Sequence, residues 1–290
     1  MARRLWGAVL LCAVLLAVAV ISGLVNHVRP GTATAEPVRP VPQIGDCQPV
    51  PEPQAVPPSG FGLPSPVLAP CDGPRAAEVI LVFPDYAAAD VVTADAVSPL
   101  DRCAELMDPY LGLPTTPVGP TAWVPAQWVV VDLAGPDARQ RAAGQVWAAC
   151  LIHPVSPTGD APVFLGSARG VMSRPGPESA VLSACLDEPD GGPVSCLEPH
   201  RSETLGYRSV PRGTPEEELQ SSCAELVARS TAMPDPTAGG ALTTTVTRVP
   251  VDTNYSDAVP TALCNVDTTD PARSLTSTLR NLGTAPPPLT

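Results

Sequence analysis

The 290-residue sequence contains no lysine, so all 17 of its basic residues are arginine. This absence excludes Schiff-base catalysis, serine–lysine dyads and the phosphate-binding lysine of P-loops. Histidine is scarce too, with His27, His153 and His200 as the three examples. The motifs H-E-x-x-H, G-x-S-x-G and G-x-G-x-x-G do not occur, which removes the common signatures of zinc proteases, serine hydrolases and dinucleotide-binding enzymes. We therefore predict a protein that is not an enzyme and uses no cofactor.

Positive charge is in short supply along the whole chain. The formal net charge is −12 at pH 7, from 29 acidic and 17 basic residues. Proteins that bind nucleic acids neutralise phosphates with a basic surface, and no basic patch is present here. The charge balance therefore argues against a nucleic-acid partner.

A long uncharged run occupies the N-terminus. Arg3 and Arg4 precede residues 5–25, none of which is charged. As a helix rising about 1.5 Å per residue, this run matches the roughly 30 Å hydrocarbon core of a bilayer. The arginines before it place the N-terminus in the cytoplasm. We predict a cytoplasmic tip and single-pass transmembrane signal-anchor over residues 1–27, in the cell membrane, with the bulk of the chain extracytoplasmic.

A cleaved export signal is the competing interpretation of this run. The apolar region of such signals is shorter, about 7–15 residues, although Ala33 and Ala35 form a pair that a signal peptidase could recognise. The remainder of the chain is exported in both cases. Residues 28–43 are rich in proline, which predicts an extended stalk.

Eight cysteines follow the apolar run, and an even number in an exported protein predicts disulfide bonds. They are Cys47, Cys71, Cys103, Cys150, Cys185, Cys196, Cys223 and Cys264. None of them has the C-x2–4-C spacing that is typical of zinc sites, so we predict no metal site.

An eight-residue pattern, C-x-x-P-[R/H]-x-x-E, occurs twice, at residues 71–78 and 196–203. Each copy is followed by the tetrapeptide C-A-E-L, at 103–106 and 223–226. The shared order predicts two copies of one cysteine-framed module. The predicted boundaries are a first module at 44–153, a linker at 154–177, a second module at 178–267 and a disordered tail at 268–290.

Apolar periodicity predicts the same order of elements in both modules. The predicted strands are 77–83, 127–133, 145–152, 242–251 and 262–266, and the predicted helices are 99–111 and 216–229. Ser98 and Thr214 are the predicted N-caps of the two helices. One helix lying on a short, mainly antiparallel sheet fits this order, so the predicted fold class is α+β. The tryptophans at 123, 128 and 147 are predicted to pack in the core rather than to form an exposed aromatic surface.

Eight cysteines allow 105 pairings. If every bond stays within its module and both modules pair alike, three patterns remain. We favour first with second and third with fourth, because a cysteine on the buried face of the helix can link it to the last strand. The favoured pairs are Cys47–Cys71, Cys103–Cys150, Cys185–Cys196 and Cys223–Cys264. The other two patterns within a module stay open.

The repeated motif supplies the candidate binding residues, Arg75 and Glu78 in the first copy and His200 and Glu203 in the second. One interpretation is a binding or proton-handling site. The other is a proline turn whose basic and acidic residues brace each other. Because arginine stays protonated, acid–base chemistry by a hydrolase, or pH-dependent ligand sensing, would depend on His200 with Glu203.

The motifs of the first module resemble those of the septum formation family of actinobacterial membrane proteins. They are G-D-C at 45–47, P-C-x-x-P-R-x-x-E-V at 70–79, Cys103, and W-A-A-C-L at 147–151. The resemblance is good over about 44–153 and weak over 180–266. Arg75 stands where the family pattern has histidine, and Ser-Ala-Cys at 183–185 stands in place of G-D-C.

This resemblance implies an envelope location and a link to septation, and it implies no established enzymatic mechanism. We therefore expect a membrane-anchored, extracytoplasmic binding or structural protein of the cell envelope. Its expected partners are envelope or division proteins or cell-wall material. A hydrolase or ligand sensor using His200 and Glu203 is the alternative.

Overall fold

The computed structural model of the chain describes residues 37–50, 63, 65–86, 98–113, 122–155, 163–211, 213–249 and 260–290. The predicted signal-anchor and most of the predicted stalk lie outside these residues. Over the described ranges, no helix is long and apolar enough to cross a lipid bilayer.

The described residues form ten strands and four α-helices, and the fold class is α+β as predicted. The strands are β1 (Cys47–Pro49), β2 (Arg75–Phe83), β3 (Val124–Pro125), β4 (Val129–Ala134), β5 (Ala148–Pro154), β6 (Ala184–Leu186), β7 (Pro193–Val194), β8 (Ser202–Ser209), β9 (Leu242–Val249) and β10 (Thr261–Thr268). The α-helices are α1 (Pro99–Leu111), α2 (Ala138–Ala142), α3 (Pro177–Leu182) and α4 (Glu216–Thr231), and short 3-10 turns lie at Val171–Ser173 and Ala238–Gly240.

The first module contains an antiparallel sheet in the order β1-β2-β5-β4, with α1 packed on one face. The helix spans the residues that periodicity predicted. The Ser98 hydroxyl accepts a hydrogen bond from the Asp101 N–H, Pro99 opens the first turn, and Gly112 ends the helix in a left-handed conformation. Leu111 and Cys103 face the sheet and are fully buried.

The second module has the corresponding sheet, in the order β7-β6-β8-β10-β9, with α4 packed against β8, β9 and β10. The predicted N-cap of this helix is wrong. Pro215 holds the cap position without a side-chain bond, and the Thr214 hydroxyl donates to the Pro211 carbonyl instead. Three glutamates in the first turn compensate, because negative charge is favourable at a helix N-terminus.

The two sheets share an irregularity as well as an order. Glu78 pairs with Ile152 and Leu81 with Cys150, which leaves Ile80 as an extra residue in β2. In β8, Glu203 pairs with Val266 and Gly206 with Cys264, which leaves Leu205 as the extra residue. A β-bulge at the same position in both copies supports the interpretation of an internal repeat.

Each module contains two disulfides, and the four bonds are the pairs that the sequence analysis favoured. Cys103 and Cys223 lie on the helices, and their partners lie on β5 and β10. Each such bond stabilises a small domain by about 2–4 kcal/mol. The cross-links offset the limited cores that modules of this size can build.

The two modules pack against each other, and residues 40–290 form one unit. Strand β3 belongs to the first module by sequence, yet it pairs with β8 of the second. Trp123, just before it, is 5% exposed and lies in the second module's core with Leu226 and Val227. Trp123 and Trp147 are buried as predicted, whereas Trp128 is half-buried.

Two predicted boundaries are wrong. Residues 163–177, which belong to the predicted linker at 154–177, contribute Phe164, Val171 and Met172 to the core of the first module. The tail at 268–290, predicted to be disordered, places Leu275 and Leu279 fully inside the second. Both segments lack strong periodicity, so their apolar residues gave no pattern that predicts burial.

Candidate functional site

The four candidate residues of the repeated motif lie at the start of equivalent strands. Arg75 opens β2, and His200 lies two residues before β8. Glu78 and Glu203 occur inside these strands, each opposite the first cysteine of its module, Cys47 or Cys185. Their exposed fractions are 3% for Arg75, 0% for Glu78, 1% for His200 and 0% for Glu203. None of the four therefore faces solvent.

Both oxygens of Glu78 accept hydrogen bonds from inside the protein. Oε1 accepts from the Tyr110 hydroxyl at 2.6 Å and from the Ser167 hydroxyl at 2.6 Å. Oε2 accepts from the Ala168 N–H at 2.7 Å. Burial, followed by the bond to Glu78, raises the pKa of Tyr110 to about 12. Three donors directed at one carboxylate compensate for the loss of its hydration.

Glu203 has an equivalent set of partners. Its Oε1 accepts from the Thr278 hydroxyl at 2.6 Å, and its Oε2 accepts from the Leu279 N–H at 2.6 Å. The Nε of Arg280 lies 3.8 Å from Oε1. In both copies, a hydroxyl residue and the N–H that follows it thus enclose the buried carboxylate.

These partners form a third repeated motif, which the sequence analysis missed. Residues 164–170 and 275–281 share the pattern [F/L]-x-[G/S]-[S/T]-[A/L]-R-[G/N]. Gly170 and Asn281 end the two copies, both with positive φ, a conformation that glycine and asparagine tolerate best. Their N–H groups donate to equivalent helix carbonyls, Tyr110 O at 2.7 Å and Ser230 O at 2.8 Å. The Arg-Gly ending of the first copy and the similar Arg-Asn ending of the second are the sequence signal that could have revealed this repeat.

Arg75 is held by an aromatic ring and a distant carboxylate. Its guanidinium lies 4.6 Å from the centre of the Phe164 ring, and its Nε is 3.8 Å from Glu78 Oε2. Burial lowers the pKa of Arg75, with Glu78 opposing the effect. The arginine and the glutamate brace the turn, as the structural interpretation of the motif expects.

His200 is held in a single orientation by its own loop. Its Nδ1 lies 2.7 Å from the Glu198 carbonyl oxygen, which can only accept, so Nδ1 carries the proton. Nε2 is buried and has no hydrogen-bond partner in the described part of the chain. Burial lowers the pKa of His200, so the ring is neutral at pH 7.

Cys185, Cys196 and His200 bring their sulfur and nitrogen atoms within 4.8 Å of one another, which is the ligand type of a zinc site. The two sulfur atoms are bonded to each other as a disulfide. Metals bind cysteine as the thiolate, so this group has no free sulfur ligand while the disulfide is intact.

A surface cleft of about 290 Å³ borders the segment that bonds to Glu78. Ser167, whose hydroxyl donates to Glu78, lines it together with Arg174 and Glu178. None of the four motif residues lines this cleft. Every oxygen of the two buried carboxylates already accepts a hydrogen bond, so neither carboxylate is available to bind a ligand or to move a proton.

The function of the chain has to be argued from these features, because comparison with known proteins offers no guide. No protein-family model, curated protein or solved structure matches this chain.

Proposed function

We propose that this protein is a non-enzymatic binding or structural protein of the cell envelope, anchored in the membrane by its N-terminal apolar run. The structured part is an extracytoplasmic domain, as its four disulfides indicate. A role in septum formation or cell-wall assembly is the part of the proposal that the motif resemblance supports.

The observation that carries the proposal is the use of the repeated polar motif inside the fold. Both carboxylate oxygens of Glu78 and of Glu203 accept hydrogen bonds from the same protein. A polar network of this kind specifies a backbone arrangement and leaves nothing for a substrate. The functional surface is then the exterior of the paired modules.

A hydrolase or sensor that uses His200 and Glu203 has less support. Both side chains are buried, and Thr278 and Leu279 occupy the carboxylate. A general base must reach the proton that it removes, within about 3 Å or through one water. The geometry favours a binding protein over this alternative.

The experiment that tests the proposal is in-cell cross-linking of the full-length chain, followed by identification of the cross-linked proteins, together with localisation of a tagged copy. We expect cross-links to envelope proteins and enrichment at the division site. An even distribution over the envelope, with normal division after depletion, would contradict the link to septation. A protein released from the membrane fraction would contradict the anchor.

A further inference from the structure

Strand β3 shows how the second module accepts an extended segment. Val124 pairs with Tyr207 and Pro125 with Gly206, so β3 lies along the half of β8 that β6 does not cover. The Ala126 N–H continues the pairing by donating to the Leu205 carbonyl at 3.1 Å. This is strand addition to an open sheet edge, made within one chain.

The first module has the same edge, and no strand of the described residues lies on it. β1 covers β2 only as far as Glu78, and the last contacts on that side join Val79 to Gly45 and Asp46. Along Ile80–Phe83, the β1 side of β2 has no strand partner among the described residues. By the shared bulge, Ile80 and Val82 correspond to Leu205 and Tyr207, the residues that β3 contacts.

An arginine occupies the equivalent position in both copies of the third repeated motif, at Arg169 and Arg280. In the second module, the Nη2 of Arg280 donates to Ala126 O at 2.7 Å and to Leu205 O at 3.0 Å, so it joins the added segment to the sheet. The equivalent residue of the first module is Arg169. Arg169 is exposed, and its guanidinium lies 4.8 Å from the centre of the Tyr110 ring. Its equivalence to Arg280 in the repeat makes it the residue that would form the same bridge once a segment arrives.

The side-chain space beside the two edges differs at one position. A Cβ at Gly206 would lie 2.7 Å from Leu226 and 3.7 Å from the Cβ of Trp123, so the absence of a side chain makes room for the tryptophan. Leu81 holds this position in the first module and is partly buried against its core. A segment that docks there therefore needs an apolar residue smaller than tryptophan.

We propose that the open edge of β2, at Ile80–Phe83, binds an extended segment of a partner protein, with Arg169 bridging the two strands and a small apolar residue placed beside Leu81. The segment comes from a partner protein, because the stretch of this chain that shows the pairing, Trp123–Ala126, already lies on its own second module. This proposal rests on the proposed binding function and names the site where binding occurs.

Two synthetic peptides probe the site, both blocked at their ends. One has the sequence of residues 121–127, TAWVPAQ, and the other has valine in place of its tryptophan. We expect the purified extracytoplasmic region, 37–290 with disulfides intact, to bind the valine peptide more tightly, as measured by isothermal titration calorimetry. Amide hydrogen exchange should slow along Ile80–Phe83 when that peptide is bound.

The Leu81→Gly variant should reverse the preference. Removing the whole side chain recreates the space found at Gly206, so the tryptophan peptide should gain about tenfold in affinity relative to the valine peptide. If the peptides bound through non-specific apolar contacts, the same substitution would instead weaken the binding of both. Arg169→Ala should weaken both peptides by about tenfold, because it removes a charge-assisted bridge. Val130→Ala, at a 38% exposed position on the opposite edge strand, is the matched control and should change neither.

Several results would overturn the site. They are no saturable binding of either peptide, protection that maps away from Ile80–Phe83, and an unchanged preference in folded Leu81→Gly. Slow amide exchange along Ile80–Phe83 without peptide would mean that this chain itself covers the edge. Sedimentation would then tell whether a second copy covers it in a dimer or another segment covers it within the monomer. If cross-linking in cells still captured an envelope partner, the proposed function would stand while this site failed.

Discussion

The hydroxyl of Thr278 donates a 2.6 Å hydrogen bond to the buried carboxylate of Glu203, across 75 residues of sequence. Ser167 makes the equivalent bond to Glu78 in the first module. In each module, a segment that follows the last strand thus packs back onto the sheet and bonds to its buried glutamate. These closing segments, residues 164–170 and 275–281, lie in the predicted linker and the predicted disordered tail.

Removing one donor should destabilise the second module. In Thr278→Val, Glu203 stays buried with one partner fewer, and a buried group left without its hydrogen bond costs about 1–3 kcal/mol. For a protein of this size, we expect the melting temperature to fall by about 2–4 °C per kcal/mol. Thermal unfolding followed by circular dichroism, with disulfides intact, measures the change.

Thr243→Val is the matched control for this substitution. Thr243 is exposed on β9, so its replacement should leave the melting temperature unchanged. Equal melting temperatures for the two variants would show that the bond between Thr278 and Glu203 contributes nothing to stability.

Removing residues 274–290 should unfold the second module. The deletion takes away two fully buried leucines, Leu275 and Leu279, and the buried guanidinium of Arg280. It also strips Glu203 of all its donors. Limited proteolysis should then cut the second module rapidly. A deletion that leaves proteolysis and near-UV circular dichroism unchanged would support the predicted disordered tail after all.

The sequence predicts the repeated elements well because each has a strong local signal. Apolar periodicity with Ser98 and Pro99 predicts the extent of α1. The even number of cysteines, their repetition in two modules and the cysteine on each helix favour the disulfide pairs that the structure contains. The closing segments carry no such signal. Their structure depends on contacts made 75 to 90 residues away in sequence, to Glu203 and Glu78.

The candidate site too was predictable only in part from the sequence. The motif C-x-x-P-[R/H]-x-x-E identifies residues that the fold uses at equivalent positions. Whether Glu78 and Glu203 face solvent or the interior depends on Ser167 and Thr278, which the motif does not include. The burial of these carboxylates could not be predicted before those segments were placed.

The stability of the protein should fall on mild acidification because of His200. Burial lowers the pKa of this histidine in the folded state, so below about pH 6.5, its ordinary value, the unfolded chain takes up a proton more readily than the folded one. The stability associated with His200 is therefore present above pH 6.5 and is lost as the pH falls. The loss is at most about 1.4 kcal/mol per pH unit.

His200→Gln isolates this contribution. Urea unfolding of the wild type and the variant between pH 7.5 and 5.5 should show a steeper loss for the wild type, since most carboxylates stay ionised over this range. Parallel pH dependences in the two proteins would mean that His200 is not buried in its neutral form.

Gly206→Ala should disturb the contact between the modules. The new Cβ would lie 2.7 Å from Cδ2 of Leu226, a side-chain end that can shift, and 3.0 Å from the Val124 carbonyl oxygen, a backbone contact tighter than most real Cβ contacts. The backbone of β3 cannot yield without losing its pairing to β8, so Trp123 should leave the second core. We expect a red shift of tryptophan fluorescence and a lower melting temperature. Gly192→Ala, where the nearest atom would lie 4.0 Å away, is the control and should behave as the wild type. If Gly206→Ala also keeps wild-type fluorescence, Trp123 does not anchor the first module to the second, and the pairing of β3 offers no guide to the open edge of β2.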